Sequence, residues 1–327
     1  MSSEDQLIER VSRKFPSGAH GVRTGIGDDA AVLLPAPNSE WVVTTDAFLE
    51  DVHFLRRVHP PRAVGYKAVA RATSDIAAMG ARPRYFLLTL ALPDSCTGKW
   101  LDEFLGGMAL AAKRFGLSLV GGDTTRHRTV MASLTVVGEV DSGRAILRSG
   151  ARPGDLLCVS GKLGEAELGL RLALKRLHTK KRWKKLVKKH LYPEPRLALG
   201  QWLVTRRLAT SMIDTSDGLS TDLGHICKAS GVGAQVWADE IPLANVPPEL
   251  KRQGLDAMRL ALNGGEDYEL LFTVPKRFAR RLPSVIAGVP ITVIGEITNG
   301  KKITLLDSSG RGIPLKPLGW DPFRNRG

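Results

Sequence analysis

The amino-acid sequence predicts two domains that each mix helices with strands, an α/β or α+β chain rather than a single parallel sheet. Three observations lead to this fold class. The chain has 327 residues, whereas one domain typically takes about 100–200. Strand-like and helix-like segments alternate throughout, and turn residues cluster at 150–155. We therefore place the boundary at this cluster and expect domains at residues 1–150 and 151–327.

In the first domain, short apolar or β-branched runs are expected to form strands at 41–45, 86–92, 118–120 and 129–137. A long helix should follow the Pro60-Pro61 pair, because proline suits a first helical turn and Gly80 with Pro83 can end it. A second helix is expected at 100–115.

The second domain should begin with a strand at 156–160 and place a helix after Asp217. The remaining strands are expected at 234–237, 270–274 and 292–296, ahead of a short tail at 319–323.

Composition favours a soluble, cytoplasmic protein. Hydrophobic residues make up 43% of the chain and charged residues 24%, so both domains can bury a core. The most apolar stretch, 85–92, has about half of the roughly 18 residues that a membrane span requires. Cys96, Cys158 and Cys227 are widely spaced, which disfavours a disulfide framework or a zinc site and indicates buried thiols in a reducing compartment.

The net charge of +14 is concentrated in one stretch. Nine cations and no acid lie between Lys175 and Lys189, and without them the net charge would be +5. Apolar residues are interleaved at near-helical spacing, so an amphipathic helix is expected. Its basic face is either solvated or in contact with RNA or an acidic membrane surface, and the sequence leaves both readings open.

The common nucleotide-binding and hydrolytic signatures are absent. The chain has no Gly-x4-Gly-Lys-Ser/Thr loop, no Gly-x-Ser-x-Gly elbow and no His-Glu-x-x-His pair. Residues 25–30 have the outline of a dinucleotide loop, but Asp28 and Asp29 would repel a pyrophosphate there. A Rossmann site is therefore not expected.

A recurring pattern instead places aspartate beside glycine, serine or threonine, at 27–29, 44–46, 73–75, 121–125 and 214–218. Carboxylate and hydroxyl oxygens suit Mg²⁺, and glycine lets backbone N–H groups approach phosphate closely. Each segment alone is equally compatible with turn or N-cap chemistry. Asp75 is harder to explain in that way, because it interrupts an otherwise apolar helical stretch. Together they predict an Mg²⁺-dependent enzyme acting on phosphorylated substrates.

In their order along the chain, these segments resemble the thiamine-monophosphate kinase family, within the superfamily of aminoimidazole ribonucleotide synthetase. The matching segments are 25–32, 44–46, 52–54, 74–80, 121–126, 148–150, 213–219, 264–270 and 319–323. The resemblance implies a two-domain synthetase-like fold, in which N-terminal sheets pair across a homodimer into a β-barrel and C-terminal α/β domains cover the sites. The implied activity is ATP-dependent phosphorylation of thiamine monophosphate to thiamine diphosphate.

The resemblance also implies roles for individual residues. Metal ligands would be Asp29, Thr44, Thr45, Asp46, Asp75, Asp123, Asp214 and Asp217, holding several Mg²⁺ ions. ATP would contact Gly122, Asp123, Arg148 and Ser216. Thiamine monophosphate would contact His53, Glu266 and Trp320. No general base is expected, since the acceptor is itself a phosphate whose second pKa is about 6.

Two departures from the family pattern stand out. Asp51 occupies a position where the family often has glycine, close to His53. The basic stretch is also unusually rich in lysine, and the resemblance assigns it no role. The alternatives are another ATP-dependent enzyme of the same superfamily, or an RNA-associated protein that binds through residues 175–189.

Overall fold

The computed structural model describes residues 4–15, 19–26, 30–175 and 183–323. The chain divides into two compact units, one of residues 1–76 and 81–145 and the other of residues 77–80 and 146–327. The change at Ala145 and Ile146 falls just before the turn cluster at 150–155. Each unit combines helices with a sheet, so the predicted mixed α/β fold class is confirmed.

The first unit is built on a four-stranded sheet within its described residues. Its elements are α1 (Glu4–Lys14), β1 (Val22–Thr24), β2 (Val32–Leu33), β3 (Ser39–Leu49), α2 (Pro61–Ala78), β4 (Arg82–Leu92), α3 (Lys99–Phe115), β5 (Ser118–Arg126) and β6 (Met131–Asp141). The strand order is β3-β6-β4-β5, and β1 pairs with β2 separately. Only β4 and β5 run parallel among these strands, and α3 is the crossover that a parallel pair requires.

Side chains of this sheet alternate between a core face and an open face. Phe48, Leu134 and Val136 point to the core and are at most 1% exposed. Trp41 and Val43 lie on the opposite face and are 42% and 59% exposed. The alternation follows the two-residue period of a strand, so neighbouring residues of β3 lie on opposite faces of the sheet.

Several strands are longer than the sequence predicts, and two of them, β3 and β5, carry candidate site residues. The strand expected at 41–45 is β3, which pairs with β6 from Ser39 to Leu49 and so includes Asp46. The strand expected at 118–120 continues as β5 to Arg126, so the glycine-rich segment 121–125 is a strand rather than a loop. Pairing with long neighbouring strands overrides the weak strand propensity of Gly and Asp in both cases.

The second unit contains an eight-stranded sheet among its described residues. Its strands are β7 (Asp155–Ser160), β8 (Ser211–Asp214), β9 (Gly233–Trp237), β10 (Leu270–Pro275), β11 (Val285–Ile286), β12 (Val289–Thr298), β13 (Ile303–Leu306) and β14 (Gly312–Pro314). The order is β14-β13-β9-β12-β7-β10-β8, with β11 beside β12. Its helices are α4 (Glu165–Leu174), α5 (Lys184–Leu191), α6 (Leu197–Arg206), α7 (Leu219–Ser230), α8 (Pro248–Lys251) and α9 (Ala257–Asn263).

Both faces of this sheet are covered. Leu157, Val159 and Ile213 pack in one core with Leu223 of α7. Cys158 of β7, Met212 of β8 and Phe272 of β10 point the other way and pack in the opposite core, which includes residues of α6. Burial on both sides explains why β7, β8 and β10 are apolar without alternation. The second unit is therefore a sheet between two helical layers.

The three cysteines are free and buried, as the sequence predicts. Within the described residues, no helix is long and apolar enough to cross a membrane.

Helices α2 and α3 pack together at glycines. A Cβ atom at Gly107 would collide with the backbone carbonyl of Arg62, and one at Gly65 would collide with that of Phe104. The neighbouring Gly106 has no atom within 4 Å of the position of an added Cβ. Contact between the two helices thus requires glycine at positions 65 and 107 but not at position 106.

We therefore expect Gly107→Ala to lower the free energy of unfolding by about 1–3 kcal/mol, because the added methyl overpacks the interface. The matched control Gly106→Ala should raise it by up to about 1 kcal/mol, since alanine favours a helix and meets open space. Urea denaturation followed by circular dichroism measures both. Equal effects at the two positions would contradict this packing.

Candidate active site

In the first unit, two of the predicted ligands of β3, Thr44 and Asp46, face α2, which carries Asp75. Thr44 donates its hydroxyl to Asp75 Oδ2 at 2.5 Å. Asp46, two residues along the same strand face, pairs with Arg71 Nη2 at 3.2 Å. The aspartate in the apolar helix is therefore bonded across to the sheet, and the structure brings Thr44, Asp46 and Asp75 to one side of β3.

Two further predicted ligands of this unit, Thr45 and Asp123, lie on the opposite, open face. Thr45 accepts a hydrogen bond from Thr135 at 3.2 Å. Asp123 pairs with Thr89 across the parallel strands, and Thr89 pairs with Ser133. Asp123 and Thr135 both line a groove of about 880 Å³ on this face. The set that the sequence groups together is thus divided between two faces of one sheet, because adjacent strand residues point in opposite directions.

Gly122 allows a close approach of backbones. A Cβ atom there would overlap the carbonyl oxygen of Leu88 on the neighbouring strand. Glycine at this position is therefore required by the sheet itself, beside any role with phosphate. Asp29, another predicted ligand, lies outside the described residues.

His53 is held by its own turn. Its Nδ1 accepts the backbone N–H of Leu49 at 3.0 Å, and its ring stacks on Phe48 at a centroid distance of 5.7 Å. An Nδ1 that accepts leaves the proton of a neutral imidazole on Nε2, so the ring presents a donor on its far side. Asp51 in this turn has φ +65°, a left-handed conformation that favours glycine. That backbone explains why glycine suits the position occupied here by Asp51.

In the second unit, three distant segments converge at the end of β8. Glu266 donates its backbone N–H to the Ser216 carbonyl at 2.8 Å, and Tyr268 donates to Thr215 at 3.0 Å. Trp320 donates its backbone N–H to the Asp217 carbonyl at 3.0 Å. The predicted residues Asp214, Ser216, Asp217, Glu266 and Trp320 are therefore parts of one connected cluster.

Asp222 belongs to this cluster, although the sequence did not single it out. Its carboxylate accepts the backbone N–H groups of Asp217 and Gly218 at 3.3 and 3.0 Å. Burial, and then the negative charges of Asp214 and Asp217, raise the pKa of Asp222 well above its usual range. Its place in the first turn of the helix after Gly218 was the available signal, since acids there commonly bind backbone N–H groups.

Arg148 is exposed and lies near α7. Its carbonyl accepts the hydroxyl of Ser230 at 3.2 Å. Burial, followed by the positive charges of Arg148 and Lys228, lowers the pKa of His225. The guanidinium of Arg148 is thus an accessible cation in the same unit as the cluster.

Each acid of the segment 264–270 has a separate partner. Glu269 is 2% exposed and pairs with Arg196, whose Nε lies 2.6 Å from Oε2. Asp267 accepts the backbone N–H groups of Gly164 and Ala166 at 2.5 and 2.9 Å, at the start of α4. Glu266 Oε2 lies 3.3 Å from Nδ1 of the buried His190. Two of these partners, His190 and Arg196, lie six positions apart, and no sequence motif marks either of them.

The donor chemistry fits Mg²⁺ in part. The converging side chains offer carboxylate and hydroxyl oxygens, which magnesium prefers. Among the described residues, however, no three Asp, Glu, His or Cys side chains are arranged to hold a metal ion by themselves. Magnesium commonly binds through one or two carboxylates and completes its coordination with water and substrate phosphates.

Comparison with known proteins agrees with this architecture. Residues 27–140 match the family model of the AIR synthase related protein, N-terminal domain, and residues 152–308 match that of its C-terminal domain. Thiamine-monophosphate kinase of Salmonella typhimurium is 40% identical over 324 residues, which cover 98% of each chain. The chain belongs to the AIR synthase-related family and, within it, to the thiamine-monophosphate kinases.

Solved structures support the same assignment. Thiamine-monophosphate kinase from Stenotrophomonas maltophilia K279a is 36% identical, with a TM-score of 0.80 over 94% of this chain and 96% of that one. The structure of AaThiL complexed with AMPPCP and TMP is 33% identical, with a TM-score of 0.78 over 91% and 92% of the two chains. The family prediction made from motif order is thereby confirmed.

Asp267 predicts a pH dependence of stability. Burial raises its pKa to about 7, above the value of about 3.9 expected in the unfolded chain. The unfolded state therefore releases this proton first, and stability falls as pH rises from about 4 to about 7. Relative to Asp267→Asn, which does not titrate, the wild type should lose up to about 4 kcal/mol across that window. Urea denaturation at pH 4, 5, 6 and 7 measures the difference, and a constant difference would contradict the assignment.

Proposed function

We propose that the protein transfers the terminal phosphoryl group of ATP to thiamine monophosphate and so forms thiamine diphosphate. Relatives of nearly equal length are named for this kinase activity, at 40% and 34% identity. The structural observation that carries the proposal is the convergence of the Asp214–Asp217 loop, Glu266 and Trp320 in one cluster. The cluster combines carboxylates with an aromatic side chain, as a ligand with phosphate and cationic ring parts requires.

The acceptor chemistry explains the kind of residues involved. A phosphate monoester is largely ionised at neutral pH, since its second pKa is about 6, so its oxygen needs no general base. The main obstacle is repulsion between two polyanions, and catalysis consists of charge neutralisation and in-line positioning. Bound Mg²⁺ would supply that neutralisation, through several ions in each site.

The proposed ligands of Mg²⁺ all offer oxygen donors: Asp29, Thr44, Thr45, Asp46, Asp75, Asp123, Asp214 and Asp217. The crowding of Asp214, Asp217 and Asp222 supports a cation site, because their mutual repulsion is one cause of the raised pKa of Asp222. A divalent cation would relieve that repulsion.

ATP is proposed to contact Gly122, Asp123, Arg148 and Ser216. Gly122 offers a backbone without a side chain, and Arg148 offers a guanidinium suited to bidentate phosphate binding. Thiamine monophosphate is proposed to contact His53, Glu266 and Trp320. His53 would donate from Nε2, Glu266 would face the positive ring, and the Trp320 indole would stack on it.

We also propose a homodimer formed through the open face of the first sheet. Trp41, Val43 and Leu87 expose apolar surface there, at 42%, 59% and 38%. Exposed apolar patches on a sheet face favour a partner surface, and a second copy of the same sheet is self-complementary. The cytoplasm is the proposed location, since all three cysteines are free.

The proposed reaction is tested by incubating the purified protein with ATP, Mg²⁺ and thiamine monophosphate and measuring thiamine diphosphate by chromatography. Asp123→Asn should lower kcat by about 100-fold or more, because a charge that acts on the transferring group is removed. Its thermal midpoint should stay close to that of the wild type. Asp141→Asn is the matched control, since Asp141 is an exposed acid of the same sheet. No product, or equal activity on free thiamine, would contradict the proposal.

The dimer is tested separately with Val43→Lys. A lysine in each of two facing sheets should weaken association at least tenfold, because two charges would be buried in an apolar interface. Sedimentation equilibrium measures the dissociation constant. Val285→Lys, at a valine 54% exposed in the second unit, is the control and should leave association unchanged. A monomeric wild type would contradict the dimer but not the proposed reaction.

A further inference from the structure

The described part of the basic stretch is a packed helix rather than a purely solvated one. Trp183, Val187 and His190 are 4%, 3% and 1% exposed, while the lysines at 184, 185, 188 and 189 face solvent. Residues 176–182 lie outside the described residues. The helix α5 therefore has a buried stripe whose most polar member is a histidine.

The orientation of this helix is fixed by close contact with α4. A Cβ atom at Gly169 would lie 2.5 Å from the Leu186 carbonyl oxygen and 2.9 Å from the Cβ of His190. Such distances leave no room for a side chain, so α5 lies directly on the backbone of α4 at this glycine. Contact of this kind restricts rotation of α5 and holds the imidazole of His190 in one place.

His190 meets the acid proposed to recognise thiamine. Its Nδ1 lies 3.3 Å from Oε2 of Glu266. The imidazole is buried, whereas the Glu266 side chain is 22% exposed. A buried residue thus contacts a carboxylate that a ligand at the surface can reach. Glu266 is further constrained by a left-handed backbone with φ +69° and by its hydrogen bond to Ser216.

The chain just beyond α5 also contacts a second acid of the segment 264–270. Arg196, six residues beyond His190 in the sequence, binds Glu269. A carboxylate that is bonded to a buried donor has fewer orientations to choose from, so less entropy is lost when it binds a ligand. Residues 183–196 thus contact the segment 264–270 twice, through His190–Glu266 and Arg196–Glu269. Only Glu266 is proposed to touch substrate.

We propose that His190 is a positioning residue that orients the Glu266 carboxylate toward the thiamine part of the substrate. The inference rests on the proposed kinase function and deepens it, because it assigns specificity for the thiamine part to a residue buried beneath the site. ATP binding should be independent of this residue.

The test compares three substitutions at one position. Asparagine places an amide N–H close to where Nδ1 lies, whereas glutamine places its amide nearer Nε2, and leucine has no donor. His190→Leu and His190→Gln should raise KM for thiamine monophosphate by about tenfold, the effect of losing a hydrogen bond to a charged group. His190→Asn should stay within about threefold of wild type. KM for ATP and kcat should change less than twofold in all three.

Two controls separate positioning from general stability. Lys185→Gln, on the exposed side of α5, should change neither KM. In a Glu266→Gln background, His190→Gln should add little further increase in KM, since the two residues act through one contact. The Asn and Gln variants keep the test decisive if the leucine variant does not fold.

The outcomes are distinguishable. If the unaltered protein makes no thiamine diphosphate, the proposed function fails. If it turns over normally and the Asn and Gln variants raise KM for thiamine monophosphate equally, or raise both KM values together, His190 has only a packing role and the inference is overturned. Additive effects in the Glu266→Gln background would overturn it as well.

Discussion

The buried ion pair between Arg196 and Glu269 is the contact on which the second unit's site depends. Glu269 is almost fully buried and also accepts the Ser160 hydroxyl at 2.5 Å. Its backbone pairs with Thr215 in both directions, through the Thr215 N–H and the Thr215 hydroxyl. A buried carboxylate left without its cation is costly, so Arg196 fixes Glu269 in place. The hydrogen bonds between Glu269 and Thr215 then hold the start of β10 against the end of β8. The loops that carry the candidate site residues extend from these two strand ends.

Crowded negative charge is the second constraint. Asp214 and Asp222 are nearly inaccessible to water, and Asp217 lies beside them. Concentrating acids in this way opposes folding, because each carboxylate loses hydration and repels its neighbours. Proteins retain such arrangements where a cation or a proton balances them in function. Backbone N–H groups at the start of α7 provide only part of that balance here.

In the first unit, the candidate residues lie on both faces of one sheet. This sheet has a buried face that carries Thr44 and Asp46 and an open face that carries Thr45 and Asp123. Residues adjacent in sequence therefore lie on separate surfaces, and the open face also exposes the apolar side chains of Trp41 and Val43. A surface that combines a groove, an acid and exposed apolar side chains is suited both to binding a ligand and to pairing with another sheet.

The sequence by itself indicated the mixed α/β fold class, most strands and helices, the family, and the candidate residues Asp214, Asp217 and Glu266, which the structure brings together. Each of these depends on local pattern or on the order of short segments. The full lengths of β3 and β5 were decided by pairing with distant strands, which local propensity does not encode. Tertiary structure alone divided the predicted ligands of the first unit between two faces, placed Asp222 beside Asp217, and paired Arg196 with Glu269. It also joined His190 to Glu266, because a contact across 76 positions depends on how α5 packs against α4.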